Sequence, residues 1–211
     1  FIIVTVGGTN GKGSTCAMLE SIFGIANYRT GLYTSPHLLR YNERVRIGRQ
    51  AVDDGQLCAA FKAVEAVRGD IPLTYFEFGT LAAVWLFVKL RVDVAILEVG
   101  LGGRLDAVNA FDADCAVVTS IGLDHTDYLG STLEAIGAEK AGIYRSGKPA
   151  IYADESMPST IADHASRIGA DFQRFGTHFR FSRQETQWQF HGRRANHHGL
   201  PFPALRGAHQ P

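Results

Sequence analysis

Short apolar runs alternate with segments of helical spacing along the first 170 residues. The runs at 1–6, 92–100 and 115–122 show no polar alternation, which predicts strands buried on both faces. Shorter runs at 30–34 and 149–153 predict two more strands. Strands of this kind separated by helices indicate an α/β fold with a mostly parallel sheet and helices on both faces.

Several segments between these strands carry helical patterns. The segment 76–90 is apolar around most of its circumference, so we expect a buried helix. The stretch STLE at 131–134 has capping-box form and predicts a helix to about Tyr144. Other expected elements are helices at 14–26, from Asp53 or Asp54 to about Val67 and from Pro158 to about Ile168, a polar loop at 35–43 and a small hairpin at 45–52.

The pattern changes after about residue 171. Apolar and polar residues then alternate with period two as far as residue 192, which predicts antiparallel strands on the edge of the sheet. The stretch RRANHHGLPFP is expected to be a loop. We therefore divide the chain into an α/β core at 1–170 and a region of antiparallel strands and loop at 171–211. Because the chain starts inside an apolar run without Met, we expect a fragment of a longer protein.

Charge and composition exclude several classes of function. Lys+Arg and Asp+Glu both total 21, so no overall field attracts nucleic acid or an anionic membrane, and neither partner is expected. The apolar run 81–88 is too short to span a bilayer, and the first residues lack the features of a signal peptide. Three cysteines without metal-like spacing are expected to be buried free thiols, which indicates a cytoplasmic protein.

The strongest chemical signal is GGTNGKGST at residues 7–15, between a strand and a helix. Backbone N–H groups and a helix N-terminus in this context bind polyphosphate, and a lysine adds a full positive charge. Val6 and Gly13 depart from the general Walker pattern, and an ordinary glycine-rich turn is the alternative. Ser14 or Thr15 would supply a hydroxyl to Mg²⁺. The predicted ATP-binding residues are Thr9, Asn10, Gly11, Lys12, Gly13 and Ser14.

Two later strands end in side chains that suit a metal ion. Glu98 ends one apolar run and His125 follows another, so both are expected at the carboxyl edge of the sheet, where ligands bind in such folds. The alternative for Glu98 is an ion pair with Arg104, and the alternative for His125 is a structural hydrogen bond. Asp124 and Asp127 are competing ligands.

Three further residues are ambiguous by their chemistry alone. Asp106 follows a Gly-Gly turn and would accept hydrogen bonds from an aminopyrimidine edge. Lys140 is equally well explained as an exposed side chain or as a partner of Glu139. Ser35 is equally well explained as a turn hydroxyl before a proline.

Taken together, these motifs resemble the folylpolyglutamate synthase/dihydrofolate synthase family, which belongs to the Mur ligase superfamily. The resemblance spans about Ile3 to Pro158 and is greatest to the bifunctional bacterial form. The phosphate loop of that family has the same departures from the Walker pattern. The segments that carry the resemblance are GGTNGKGST, YTSPHL, YNERVRI, TYFEFGTLAA, ILEVGLGGRLDA, TSIGLDHTDYLG and EKAGI.

The resemblance implies a role for each candidate residue. Residues 9–12 would wrap the ATP phosphates, and Ser35, Glu98 and His125 would serve two Mg²⁺ ions. Lys140 matches a lysine that this family carbamylates; a carbamate suits a site beside Mg²⁺ better than an ammonium does. The implied catalytic residues are Lys12, His125 and Lys140. The residues implied to hold dihydropteroate, with Phe76 stacking on the pterin, are Thr74, Tyr75, Phe76, Glu77, Leu105, Asp106 and Ala107.

The implied reaction joins L-glutamate to dihydropteroate, to a folate, or to both. ATP would phosphorylate the substrate carboxylate, and the glutamate amine would displace phosphate from the acyl phosphate. The family has a preceding helical region and a following glutamate-binding domain, both expected to be absent here. We therefore expect a monomeric parent enzyme and an inactive isolated fragment.

Three other functions remain open. A cell-wall Mur ligase would use the same chemistry on a nucleotide-linked substrate, although TSPHL and DHTDYLG argue against it. A P-loop switch or regulatory ATPase would act through conformational change. A GTPase of this kind would also need an Asn-Lys-x-Asp stretch, which the sequence lacks. A non-catalytic nucleotide-binding module would not need Glu98, His125 and Lys140.

Overall fold

A computed structural model describes residues 1–202 and contains an eight-stranded sheet flanked by helices. The order of strands across the sheet is β4-β3-β2-β5-β1-β6-β7-β8. The strands of this sheet are β1 (Ile2–Gly7), β2 (Thr30–Tyr33), β3 (Val45–Ile47), β4 (Gln50–Ala51), β5 (Val94–Glu98), β6 (Cys115–Val118), β7 (Pro149–Tyr152) and β8 (Asp171–Arg174).

The first strand lies at the centre of the sheet. β1 pairs in parallel with β5 on one side and β6 on the other, and the parallel pairing continues outward to β2, β7 and β8. All five residues of β5 are buried, which explains why the four residues before Glu98 are apolar without interruption. The predicted fold class is therefore confirmed. The predicted hairpin is also present, with β3 and β4 antiparallel at the edge next to β2.

Helices cover both faces of the sheet and begin at capping residues. The side chain of Asp53 caps the second helix, and that of Thr74 caps the third. The fifth helix is capped by Thr132, whose hydroxyl accepts a hydrogen bond from the N–H of Ala135; the STLE capping box predicted from Ser131 was wrong by one residue. The helices are α1 (Lys12–Ile25), α2 (Asp54–Arg68), α3 (Tyr75–Lys89), α4 (Thr126–Leu129), α5 (Leu133–Ala141) and α6 (Ser159–Ile168).

The region after residue 170 differs from the prediction in three ways. β8 joins the main sheet in parallel with β7, whereas an antiparallel strand was expected there. β9 (Phe179–Arg183), β10 (Gln187–Gly192) and β11 (Asn196–Pro201) form a separate antiparallel sheet rather than an edge of the main one. β11 occupies a segment predicted as loop, because its pairing with β10 overrides its weak strand propensity. Residues 203–211 of the predicted region lie outside the described residues.

The three cysteines differ from one another in burial. Cys16 is buried, but Cys115 is half-buried and Cys58 is exposed, so the prediction of three buried thiols was wrong. Cys58 lies on the solvent-facing side of α2, where a small side chain needs no core partner.

Among the described residues, no helix combines the length and apolarity needed to cross a bilayer.

Candidate functional site

The phosphate loop between β1 and α1 is tied to the loop that follows β6. The N–H of Thr9 donates to the carbonyl oxygen of Ser120 at 2.8 Å. The hydroxyl of Thr119 donates to the carbonyl oxygen of Asn10 at 2.6 Å, and the N–H of Gly122 donates to the hydroxyl of Thr9 at 3.0 Å. These bonds fix the loop at the carboxyl edge of the sheet, where the ends of β1 and β6 meet.

Two glycines give this loop its shape. Gly8 has a φ of +137° and Gly11 has a φ of +82°, and residues other than glycine rarely adopt such backbone angles. A Cβ atom at Gly8 would also collide with the hydroxyl of Thr119. The close approach of the two loops therefore requires glycine at position 8.

Two lysines converge on the same backbone atom of this loop. The ammonium of Lys12 donates to the carbonyl oxygens of Gly8 and Thr9 at 3.0 and 3.1 Å. Lys140, from α5, donates to the same Gly8 oxygen at 3.1 Å and is only 5% exposed. Burial, followed by the charge of Lys12, lowers the pKa of Lys140 to about 8. Neither alternative for Lys140, exposure or pairing with Glu139, is what the structure shows.

Glu98, at the end of β5, is a buried carboxylate beside the phosphate loop. Its side chain accepts a hydrogen bond from the N–H of Ser35 at 3.0 Å, and its other oxygen lies 3.7 Å from the Cβ position of Gly13. Burial raises its pKa, while the Ser35 N–H and the charge of Lys12 oppose that rise. The alternative partner Arg104 instead pairs with Glu139. Glu98 thus keeps acceptor capacity directed at the start of α1.

His125 lies at the same edge of the sheet but is not joined to the other predicted ligands. It has φ 48° at the start of α4, is about half exposed, and lies 3.7 Å from the Asp124 carboxylate. Within the described residues it makes no hydrogen bond to Glu98 or Lys12, and no group of three His, Cys, Asp or Glu side chains is arranged to hold a metal ion.

A cavity of about 380 Å³ lies beside this edge and contains most of the predicted pterin residues. Gly103 in its wall passes so close to α5 that a Cβ there would lie 3.0 Å from the Cα of Lys140. Tyr75 does not line this cavity and contributes to a different one on the other side of Thr74. The predicted pterin residues that line this cavity are Thr74, Phe76, Glu77, Leu105, Asp106 and Ala107.

Asp106 and Phe76 are held rigidly within this cavity. The Asp106 carboxylate accepts from the N–H groups of Leu101 and Val108 at 2.8 and 3.0 Å. Burial raises the pKa of Asp106 and these hydrogen bonds oppose the rise. The ring of Phe76 lies against Gly100, where a Cβ would come within 2.8 Å of it. A planar ligand in this cavity would meet an aromatic ring and a fixed acceptor.

Sequence reasoning missed the role of Thr119 and Ser120. Both hydroxyls donate to the carbonyl oxygen of Asn10, at 2.6 and 3.2 Å. The available signal was a pair of hydroxyl residues at the end of a buried strand that must pass next to a phosphate loop.

Residues 6–200 match the family described as the Mur ligase middle domain, which is most of the chain. The chain belongs to the Mur ligase middle-domain family. Two similar relatives are the dihydrofolate synthase/folylpolyglutamate synthases of Escherichia coli and Haemophilus influenzae, 56% and 47% identical over 96% and 95% of this chain. These matches cover 48% and 46% of the relatives, so this Mur ligase middle domain spans about half the length of the curated proteins it matches.

Solved structures give the same result. Escherichia coli FolC in complex with DHPP and ADP superimposes with a TM-score of 0.95 at 55% identity, over 97% of this chain and 50% of that one. The bifunctional synthase described with Mn, AMPPNP and L-glutamate bound gives 0.92 at 52% identity, over 97% and 50%. The observed fold is thus that of the FolC enzymes over the whole matched region.

Proposed function

We propose that this Mur ligase middle domain is the ATP-binding part of a ligase that joins L-glutamate to dihydropteroate, to folylpolyglutamate, or to both. One observation carries the proposal. Lys12 and Lys140 converge on the Gly8 oxygen at the phosphate loop, and the wall of the 380 Å³ cavity passes directly behind Lys140. A site for phosphate and a site for a planar substrate are therefore adjacent. We propose that the enzyme acts as a monomer in the cytoplasm.

The phosphate loop would hold the triphosphate of ATP. The helix α1 begins at Lys12, so the N–H groups of its first turn and the positive end of the helix would face the phosphates. In the structure the Lys12 ammonium is bonded to its own loop at Gly8 and Thr9. Phosphate oxygens carry more negative charge than carbonyl oxygens, so Lys12 would exchange these bonds for bonds to ATP.

A divalent cation fits the residues present. Glu98 is buried and has spare acceptor capacity beside Gly13, and a Mg²⁺ ion is commonly held by one or two carboxylates, waters and substrate phosphates. The hydroxyls of Ser14 and Ser35 and the imidazole of His125 would complete the shells of two such ions. When bound, the cations would neutralise charge on the phosphates.

Lys140 would act as its carbamate. A buried ammonium next to Lys12 is unfavourable, and the pKa of about 8 leaves part of the population neutral near pH 7. The neutral amine can attack CO₂, forming an N–C bond and releasing a proton. The resulting carbamate carries a negative charge, which Lys12 would stabilise and which would supply oxygen atoms to the metal site.

The 380 Å³ cavity would hold the pteridine. The ring would pack on Phe76, and its amino edge would donate to the Asp106 carboxylate. Residues Thr74, Glu77, Leu105 and Ala107 would form the remaining walls. Tyr75, which lines a different cavity, would act only through its neighbours on α3.

The reaction would proceed in two steps. The substrate carboxylate attacks the γ-phosphorus of ATP, forming an acyl phosphate and releasing ADP. The glutamate amine then attacks the acyl carbon, the C–O bond to phosphate breaks, and an amide and inorganic phosphate form. Lys12 would stabilise negative charge on the transferred phosphoryl group in the first step.

The decisive experiment is an ATP-dependent assay of glutamate incorporation by the full-length protein that contains this chain. Dihydropteroate, a reduced folate monoglutamate and a nucleotide-linked cell-wall precursor are compared with labelled glutamate. Incorporation into one or both pteridine substrates supports the proposal. Incorporation into the cell-wall precursor alone supports a peptidoglycan ligase, and nucleotide binding without incorporation into any acceptor supports a binding module.

A further inference from the structure

The separate antiparallel sheet of β9, β10 and β11 has a basic composition that the proposed reaction does not use. Between residues 171 and 202 there are five arginines and two acidic residues, and four of the eight histidines of the chain. The residues are Arg174, Arg180, Arg183, Arg193, Arg194, His178, His191, His197 and His198, against Asp171 and Glu185. The whole chain has zero net charge, so this segment is a local concentration of positive charge.

The two faces of this sheet differ in chemistry. On one face Phe179 and Phe190 stack at 6.3 Å, and Phe175 packs against Phe179 and Phe181. On the other face Arg180 lies directly opposite His191, and His191 lies 6.0 Å from His198. One face therefore supplies the apolar packing of the sheet and the other is polar and basic.

A cleft of about 210 Å³ opens where the basic face meets the preceding loop. It is lined by His178, Arg180, His191 and Arg193, together with Thr177, Phe179 and glycine backbone, and no acidic side chain lines it. Arg193 is oriented by Asp171 at 3.2 Å, and Arg180 makes no ion pair within residues 1–202. Arg180 and His191 lie opposite each other on neighbouring strands, so their side chains face the same side of the sheet.

The hydrogen bonds of the histidines favour an anionic ligand. Nδ1 of His178 accepts from the N–H of Arg174 at 3.1 Å, which leaves Nε2 protonated and able to donate. Guanidinium groups donate in a planar fork that matches carboxylates and phosphates. The cleft therefore contains three side chains, His178, Arg180 and Arg193, that offer donors to an anion.

The position of the sheet relates the cleft to the reaction. β8 ends at the same edge of the main sheet as β1, three strand intervals away, a lateral distance of roughly 15 Å. The sheet of β9, β10 and β11 follows directly from β8. If the proposed function is correct, each turnover adds one carboxylate to a substrate chain whose reactive end lies at this edge.

We propose that this cleft binds carboxylates of the γ-glutamyl tail of polyglutamylated substrates. This inference rests on the proposed function for its ligand and on the basic cleft for its site. The tail is a flexible chain with one negative charge per residue, so longer tails would reach the cleft and gain affinity from Arg180 and Arg193.

The test measures binding of penta-γ-glutamate without a pteridine, by calorimetry with the purified protein. The variant with Arg180→Gln and Arg193→Gln is compared with Arg183→Gln, which removes one charge from the opposite face of the same sheet. We expect the double variant to weaken binding about tenfold or more and Arg183→Gln to change it less than twofold. Mono-glutamate serves as a short anion for comparison.

The possible outcomes distinguish a failure of this inference from a failure of the proposed function. Salt-sensitive binding of the pentapeptide that is lost in the double variant supports the cleft even where ligase activity is absent. Equal losses in the double variant and Arg183→Gln, or binding of the pentapeptide no tighter than that of mono-glutamate, overturn it. In the active enzyme, the double variant is expected to raise KM for a triglutamate substrate and leave KM for dihydropteroate unchanged; equal changes also overturn it.

Discussion

Lys12 and Lys140 donate to one oxygen atom, the carbonyl of Gly8 in the phosphate loop, at 3.0 and 3.1 Å. Two ammonium groups this close repel each other, and one of them is only 5% exposed. The arrangement is unfavourable without a ligand and becomes favourable when phosphate or a carbamate adds negative charge. The loop without a ligand therefore stores an electrostatic cost that nucleotide or CO₂ would relieve.

Replacement of Lys12 by Met should raise the pKa of Lys140. The charge of Lys12 is the second-largest cause of the depressed pKa, after burial. Its removal should move the value from about 8 towards the ordinary 10.5 without reaching it, because burial persists. NMR titration of ¹³C-methylated lysines measures the change, with Lys62→Met as an exposed control. An unchanged pKa would show that the two ammonium groups do not interact.

Lys140→Met should stabilise the protein in the absence of CO₂ and nucleotide. The pKa of Lys140 is lower in the folded chain than in the unfolded chain, so the charged form opposes folding below pH 8. Between pH 8 and 10.5 the unfolded chain binds more protons, so the free energy of unfolding rises with pH and the cost disappears. The full cost is at most about 3 kcal/mol.

The measurement for this variant is urea unfolding at pH 7 and pH 10 in CO₂-free buffer. The advantage of Lys140→Met over the natural protein should be largest at pH 7 and should shrink at pH 10. Lys62→Met, on the exposed side of α2, should show no such difference. Destabilisation by Lys140→Met at pH 7 would show that the bond to the Gly8 oxygen outweighs the cost of burial.

Glu98→Gln should weaken nucleotide binding in Mg²⁺ but leave metal-free binding nearly unchanged. The amide oxygen still accepts from the N–H of Ser35, so the loop geometry persists, while the charge that attracts the cation is lost. We expect a loss of about tenfold or more in the Mg²⁺-dependent part of the affinity for ADP. Glu65→Gln, an exposed partner of Arg68, is the matched control. A loss of equal size in EDTA would argue against a metal role.

The sheet was predictable because its signal is local. Uninterrupted apolar runs such as 94–98 identify strands buried on both faces, and the phosphate loop is contiguous in sequence. The placement of Lys140 was not predictable from its own segment, since its burial depends on Gly103 and Gly8, which are distant in the chain. β11 was missed for the same reason, because its strand structure comes from pairing with β10.

The residues of the candidate site were predictable to a similarly limited extent. Glu98 was found because an acid after an apolar run is conspicuous, whereas Thr119 ends a run without a charge and its partner Asn10 lies 109 positions away. His125 was expected beside Glu98; its side chain lies 3.7 Å from the carboxylate of its chain neighbour Asp124, and its role as a metal ligand stays a prediction. Sequence indicates which strand ends carry chemistry, but the contacts between them depend on loop conformations that the pattern does not encode.

Thr119→Val should lower both stability and nucleotide affinity. The hydroxyl of Thr119 donates to the carbonyl oxygen of Asn10, and a methyl group cannot replace that bond. We expect a loss of about 1–3 kcal/mol in the free energy of unfolding, together with weaker ADP binding because the loop is less ordered. Thr186→Val, at an exposed position between β9 and β10, is the control, measured by urea unfolding and calorimetry. An effect on stability alone would mean that the hydrogen bond between Thr119 and Asn10 does not shape the phosphate site.

Gly100→Ala should impair pteridine binding, and Phe76→Leu in the same chain should partly restore it. A Cβ at Gly100 would come within 2.8 Å of the Phe76 ring and displace it into the cavity. The φ angle of Gly100 lies outside the positive range, so Ala adds a steric effect without backbone strain. Leu in place of Phe removes the collision but also removes the stacking surface, so recovery should be incomplete.

Fluorescence titration with dihydropteroate measures this effect, and ADP binding in the same samples controls for folding. We expect about a tenfold weaker dihydropteroate affinity for Gly100→Ala, an intermediate value for the double variant, and ADP affinity within twofold in both. Additive losses in the double variant would mean that Gly100 and Phe76 act separately. Unchanged dihydropteroate binding in Gly100→Ala would remove Phe76 from the pteridine site, since a displaced ring would have to obstruct any ligand in that cavity.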